Sequence, residues 1–428
     1  MESQRNISQY HSNETAHNGE SRSLIPKTNR LSSLYFVLAF GVVSMLSDIV
    51  YEGARAITGP FLAKLGASGA LVGIITGTGE AVALVLRLFI GRLSDRTRKY
   101  WTLTIAGYAI TIVSVPLLSV ANTLWQAVIL VIAERFGKAV RAPARDTMLA
   151  HAGSHLGLGR AFAFHEALDE SGALIGPLIV AGMIALSGYK LAFAILAIPG
   201  ILALMMLAWI RNVVPNPSAY EHEHDTLEHD QHQPSDPPSS ATYFVFSSTY
   251  WIYSLFTAFS MAGFATFGLL SFHLETKRVV EPVLIPVIYS TVMGTAGLSA
   301  LCSGRLYDRI GMSVLVIAPL LGIAAPFLFF ATNPTQAWLG NLLWGAATGI
   351  HGSTMRAAVA GLVPSVCRGQ GYGTFTAVYG LAWLMGGSII GILYDRNITW
   401  AITFSVSLQA LSFVVLSFLL GRRTDHRT

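Results

Sequence analysis

Gly91-Arg-Leu-Ser-Asp-Arg96 recurs 213 positions further on as Gly304-Arg-Leu-Tyr-Asp-Arg309. Each copy closes one long apolar run and leads into the next. The register extends beyond the turns: Gly159 and Gly176 match Gly369 and Gly386, each offset by 210. Two loop motifs and two glycines in step indicate an internal duplication, so one half of the chain is read as a copy of the other.

The apolar runs decide what is duplicated. The chain has 428 residues, 53% hydrophobic and 12% charged, with a mean hydropathy of +0.54. Soluble domains carry about 25% charged residues, and a globule of this length could not hide so much apolar surface. A bilayer span needs about 20 predominantly apolar residues. Seven runs meet this without a charge: 101–121, 191–210, 243–272, 283–304, 312–331, 371–393 and 401–421. Five more meet it with charges inside: 32–60, 69–91, 124–146, 159–187 and 337–364. The predicted fold is an all-α polytopic membrane protein, with about twelve transmembrane helices in two pseudo-symmetric six-helix bundles.

Charge placement orients it. Lys and Arg concentrate in alternate loops, at Arg92–Lys99, Arg211, Arg305 and Arg309, Arg368, and Arg422–Arg427. The positive-inside rule puts those loops and both termini in the cytoplasm, in a cell inner membrane. The net charge of +5 is therefore a topology signal, and nucleic acid is not an expected partner. Residues 1–31 form a polar tail without an apolar signal region. Bundles at 32–211 and 243–421 flank an acidic, His- and Pro-rich linker at 212–242, expected to be disordered; 422–428 form a short tail. Two cysteines, Cys302 and Cys367, supply no disulfide framework or metal knuckle.

At the first turn, Gly91, Leu93, Asp95, Arg96, Arg98 and Lys99 follow the spacing G-x-L-x-D-R-x-R-K, with Thr97 between the two arginines. With Gly304, Leu306, Asp308, Arg309 and Gly311 in the second half, the sequence resembles the major facilitator superfamily from Leu31 to Gly421. That resemblance implies alternating access, with Gly91, Asp95, Arg96, Gly304, Asp308 and Arg309 as a conformational latch. An Asp at a helix end can pair with an Arg or with a helix dipole in one state and release it in another. Gly391, Leu393, Asp395 and Arg396 form a similar string after span eleven, but on the outer side, and are set aside. Gly172, Gly176 and Pro177 resemble a fifth-span pattern associated with antiporter-type exporters, although Val180 and Ala181 replace its final glycines. The same small residues suit close helix packing.

An ionisable side chain at mid-bilayer costs about 2.5–3.5 kcal/mol and usually faces a cavity. The first half holds many. Asp48, Glu52 and Arg55 share a face of span one, and Glu80 lies mid-span two with Arg87 its nearest cation in sequence. Glu134, Lys138, Arg141 and Arg145 lie on span four, with Glu134 and Lys138 an expected i, i+4 pair. Arg141, Arg145 and Asp146 are expected to meet residues of the Asp95 type. His165 and Asp169 lie on span five. Spans three, six, nine and twelve carry no charge. The second half offers His351 and Arg356 on span ten, with aromatics including Phe264, Phe267, Tyr372, Tyr379 and Trp383. Glu80, Asp169, Asp48, Glu52 and His165 are the proton-coupling candidates. Arg55, Arg141, Arg356, Tyr379 and Trp383 are the cavity candidates.

The expected function is secondary active transport, proton-coupled export of a small organic solute by a monomer in the lipid bilayer, with no cofactor. Export of a divalent metal or its chelate is the alternative suggested by His222, His224, His229 and His232 in the linker. A membrane-embedded sensor without transport is a further class. A duplicated latch has no use in an enzyme, and no GxxxxGK[ST] loop is present for ATP drive.

Overall fold

The computed structural model describes residues 31–153, 156–218, 220, 246–363 and 368–425. The expectations for the N-terminal tail and for the linker histidines lie outside the described residues. Twelve passes run in sequence: α1 (Ser33–Lys64), α2 (Gly69–Thr97), α3 (Tyr100–Leu117), α4 (Leu124–Gly153), α5 (Leu158–Ser187), α6 (Tyr189–Ile195 and Ala197–Val213), α7 (Ser248–Ala262 and Phe267–Thr276), α8 (Leu284–Ile310), α9 (Ile317–Phe329), α10 (Pro334–Leu362), α11 (Arg368–Arg396) and α12 (Ile398–Asp425). By length and composition, nine helical stretches among the described residues qualify as spans, one of them the 46-residue stretch holding both α8 and α9. The passes outside that set are α4 and α10.

Local chemistry sets several boundaries. Ser68 caps α2 by accepting from Leu71 N–H. Asn333 caps α10 by accepting from Thr335 and Gln336 N–H, with Pro334 at the first helical position, where its missing N–H costs nothing. Three runs read as continuous spans are interrupted. α6 breaks at Leu196, where Pro199 cannot donate to the carbonyl of Ile195. The run at 312–331 opens as a 3-10 turn, Gly311–Val316.

The third interruption matters most. α7 unwinds between Ala262 and Phe267, freeing carbonyls that hydrocarbon would leave unsatisfied. Neighbouring helices satisfy them: Ser405 donates to Gly263 O, and Trp344 Nε1 donates to Ala265 O at 2.9 Å. Gln409 also donates to Ser260 O at 2.8 Å. The hydropathy of 243–272 conceals this break because the partners are far away in sequence.

The duplication is visible in the packing. Gly176 of α5 lies against Ile49 of α1, and Gly386 of α11 lies against Ala262 of α7. Gly172 likewise meets the backbone of Met45. At the motif turns, a Cβ on Gly91 would stand 4.0 Å from Pro143 of α4, and one on Gly304 would stand 3.8 Å from Ser353 of α10. Small residues thus let matching helices approach in both halves.

The halves meet most tightly at the end away from the motif turns. α2 lies along α11, α1 against α7, and α5 against α8. Glycines line these contacts: Gly59 meets Gly268, Gly73 meets Gly387, and Gly69 meets Gly391. Lys64 Nζ stands 3.9 Å from Glu275, which also accepts a hydrogen bond from Tyr189.

Candidate functional site

The charged residues of the first half converge on one buried network around α1. Arg55 reaches across to Glu80 at 2.7 Å and back to Glu52 at 3.4 Å. Arg135 of α4 lies 3.4 Å from Glu80 and 3.3 Å from Glu134. Arg141 lies 3.6 Å from Asp48. The ring of Tyr51 forms a floor, with Lys138 Nζ 3.6 Å and the Arg135 guanidinium 4.7 Å from its centroid. Cation–π contacts of this kind gain strength when water is excluded.

Several expected pairings change. Glu80 is held by two arginines, Arg55 from α1 and Arg135 from α4. Glu134 pairs with Arg135 rather than Lys138, because Lys138 turns onto Tyr51. Arg141 does not run to the motif turn but into the bundle, while Arg145 binds its neighbour Asp146 at 3.0 Å. His165 bonds Ser44 at 2.7 Å, with Ser44 also 3.1 Å from Tyr108. His165 is therefore engaged with α1, and Asp169 keeps a buried carboxylate oxygen, Oδ1, without a hydrogen-bond partner. Asp48 lies within coulombic range of Asp169, Lys138, Glu52 and Arg141.

Arg135 is the principal residue that sequence reasoning missed. A guanidinium bridging two carboxylates is a stronger organiser than a point-charge lysine. Its signal was Gly79: a Cβ there would stand 2.9 Å from Arg135 Cγ. The glycine next to Glu80 is what admits the arginine.

The second half repeats the geometry without the charge. By the offsets of the duplication, Arg141 corresponds to His351 and Asp48 to Met261. His351 is buried, 3.1 Å from Ser260 Oγ and edge-on to Phe264 at 4.7 Å. The second half thus has no carboxylate at the position that matches Asp48. Around His351 Phe264 stacks on Trp344 at 5.2 Å, Phe267 packs on Tyr289 at 4.2 Å, and Tyr379 meets Trp383 at 5.9 Å. Trp383 keeps a buried Nε1 donor with no hydrogen-bond partner. The side chain of Arg356 lies outside the described residues.

Tyr289 of α8, a second residue missed in the sequence, donates a short hydrogen bond to Glu52, tying the network to the opposite half. Thr76 and Thr266 meet nearby at 2.7 Å. The space beside them, lined by Arg55, Glu80, Arg135 and Phe267 among others, is only about 10 Å³, about one water. A cavity of about 330 Å³ opens nearer the motif end, between Leu84, Arg87 and Leu88 of α2 and Tyr372, Phe375 and Tyr379 of α11.

The string set aside after span eleven also has a place. Asp395 accepts from Gly69 N–H and Ala70 N–H, both at 2.7 Å, and so caps α2 from the other half of the molecule. The carboxylate meets the positive end of the helix dipole, and Gly69 leaves room for it, since a Cβ would stand 2.6 Å from Asp395 Oδ1. Asp95 and Asp308, by contrast, are exposed and make no ion pair or hydrogen bond among the described residues.

Comparison with known proteins agrees with this architecture. The family model described as Major Facilitator Superfamily matches residues 34–387. An uncharacterized protein of Mycobacterium tuberculosis is 48% identical over 388 residues, 90% of this chain and 93% of that protein. An uncharacterized MFS-type transporter of Methanocaldococcus jannaschii is 24% identical over 388 residues, 90% of this chain and 94% of its own length. Among solved structures, the nucleoside transporter NupG superposes with a TM-score of 0.66 at 15% identity, covering 90% of this chain and 98% of that one. With the twelve passes, the repeated turns and the two packed halves, these matches establish that the chain belongs to the Major Facilitator Superfamily of transmembrane transporters.

Proposed function

We propose that this transporter is a monomer of the cell inner membrane that exports a small organic solute in exchange for protons. The observation that carries the proposal is the hydrogen bond from Tyr289 to Glu52. It joins a buried, carboxylate-rich network in one half to the closed interface with the other. A proton added to a carboxylate of this network weakens its hold on Arg55, Arg135 or Tyr289 and so favours separation of the halves at that end. A ligand or proton shifts such an equilibrium only through its different affinity for the two states, and this network supplies that difference. The aromatic second half provides an apolar wall for an organic solute, while the unpartnered Asp169 oxygen and Trp383 N–H offer polar contacts. Export follows the likeness of Gly172, Gly176 and Pro177 to the antiporter pattern.

The Arg-rich turns face the cytoplasm in this proposal, so the conformation is sealed on the outer side. A reporter fused within residues 212–242 should read as cytoplasmic. A periplasmic signal there would overturn the orientation.

Asp95 and Asp395 are proposed as opposed latches. Asp395 holds the outer end closed here, and Asp95 is free to engage when the inner end closes. Losing a charged cap costs about 1 kcal/mol, roughly a fivefold shift in a two-state balance. With Cys302 and Cys367 replaced by serine, Asp395→Ala should raise labelling of a cysteine at buried Ala67 by an impermeant thiol reagent about fivefold. Asp95→Asn should impair transport at normal abundance, and Asp308→Asn should do less. Unchanged labelling and unchanged transport would remove the latch assignments.

The coupling residues are tested by separating exchange from accumulation in proteoliposomes. Glu80→Gln or Asp169→Asn should abolish accumulation driven by a pH gradient yet retain solute–solute exchange, which needs no net proton movement. If both variants still concentrate solute as the parent does, protons do not act through these carboxylates. Arg135→Gln serves as the contrast: stripping a buried carboxylate pair of its cation costs about 3–5 kcal/mol, so abundance should fall as well. A metal requirement abolished by removing the His-rich segment would instead favour the metal-export alternative.

A further inference from the structure

Two helix faces turn toward the cavity of about 330 Å³ at the motif end, and their chemistry differs from that of the buried network. On α2, Arg87 lies seven residues, about two turns, beyond Glu80, so it continues the stripe that carries Glu80 into the bundle. Phe89 is exposed on the opposite face. On α11, Tyr372, Thr376, Tyr379 and Trp383 recur at i, i+4, i+7 and i+11 and share one face. Leu381 and Met385 are exposed on the other side. The two helices are joined behind the cavity, where a Cβ on Gly380 would stand 3.2 Å from Leu84 and one on Gly373 would stand 2.9 Å from Leu88.

We propose that this cavity binds the transported solute, and that the solute is an amphipathic organic anion: a flat apolar body carrying one oxyanion group such as a carboxylate. The inference rests on the transport of an organic solute proposed above and names its class.

Charge decides the sign. Arg87 supplies the formal charge among the lining residues, and no acidic side chain lines the cavity. Glu80, at the outer end of the same stripe, has its own cations in Arg55 and Arg135. A guanidinium stays protonated, and its planar fork matches a carboxylate in two parallel hydrogen bonds. A cationic solute would meet Arg87 as a like charge.

Shape decides the body. Phe375 stacks on Tyr253 at 6.1 Å and packs on Tyr379 at 6.0 Å, and Tyr379 meets Trp383 edge-on at 5.9 Å. This aromatic wall is therefore held from behind, and it faces Leu84 and Leu88 across the cavity. A flat ring packs well on such a wall. The hydroxyls of Tyr372, Thr376 and Tyr379 add neutral donors. A mostly apolar pocket with a few polar groups that set orientation is the usual form of a small-molecule site.

The test uses the purified full-length protein in phosphatidylcholine nanodiscs without a pH gradient. It compares binding of radiolabelled naphthoate, its neutral isostere naphthamide and the cation naphthylmethylammonium, each corrected against empty nanodiscs. The parent should bind naphthoate about tenfold more tightly than the amide, and the ammonium most weakly. Arg87→Gln should lower naphthoate to the amide's affinity while the amide still binds, which shows that the pocket has folded. Arg87→Lys should restore part of the preference, because the charge remains and the fork is lost. Tyr379→Leu should weaken acid and amide alike, by about fivefold. Equal affinity for acid and amide in the parent, tighter binding of the ammonium, or no binding of any of the three would overturn the assignment. So would an equal loss of acid and amide in Arg87→Gln. A parent that selects naphthoate in this way but does not accumulate it under a pH gradient would contradict proton-driven exchange and leave the anion site standing.

Discussion

A formal charge in hydrocarbon must be matched by a counter-charge, and this constraint organises the molecule. Many ionisable side chains enter the first bundle, and most do so as interlocking pairs rather than singly. Arg135 bridges Glu80 and Glu134, Arg55 bridges Glu52 and Glu80, and Arg141 holds Asp48. The helices α1, α2 and α4 are thereby fixed relative to one another by groups that cannot separate cheaply. The same network leaves α4 too polar to register as a span by composition, although it crosses the bilayer with the rest.

The second bundle meets the same geometric demand with neutral groups. His351 and Met261 stand where the first half has an ion pair, His351 bonding Ser260 instead, and tryptophan, tyrosine and phenylalanine fill the remaining volume. One half can therefore change its charge state while the other remains a passive, shape-determining surface. The two communicate through polar contacts that include Tyr289 to Glu52 and Thr76 to Thr266, both buried. A further contact, Asp395 on the α2 terminus, has backbone N–H groups rather than titratable side chains as its partners.

The fold was legible in the sequence because it rests on signals local in the chain: apolar run length, the alternation of basic loops, and a turn motif repeated in register. The break in α7 was not legible, since the residues that satisfy its carbonyls, Trp344, Ser405 and Gln409, lie on two other helices. For the site, the choice of Asp48, Glu52, Arg55, Glu80 and Arg141 as buried charges needed only hydropathy. Their pairing did not follow from spacing along one helix, because Arg135 and Lys138 are steered by Gly79 and by the face of Tyr51, both on other elements. Asp395 was misjudged for a related reason: its partner is the backbone of the opposite half, and backbone donors leave no mark in a side-chain pattern.

The central claim is that the charge state of the buried network controls closure through the Tyr289–Glu52 bond. Spin labels on either side of the closed end, at Ser68 and Asn397, would report it by distance measurements across a pH series. In the parent, lowering the pH should shift the population toward longer distances. Tyr289→Phe, which removes the hydroxyl and keeps the ring against Phe267, should lose that pH dependence. A pH response in Tyr289→Phe equal to that of the parent would contradict the account.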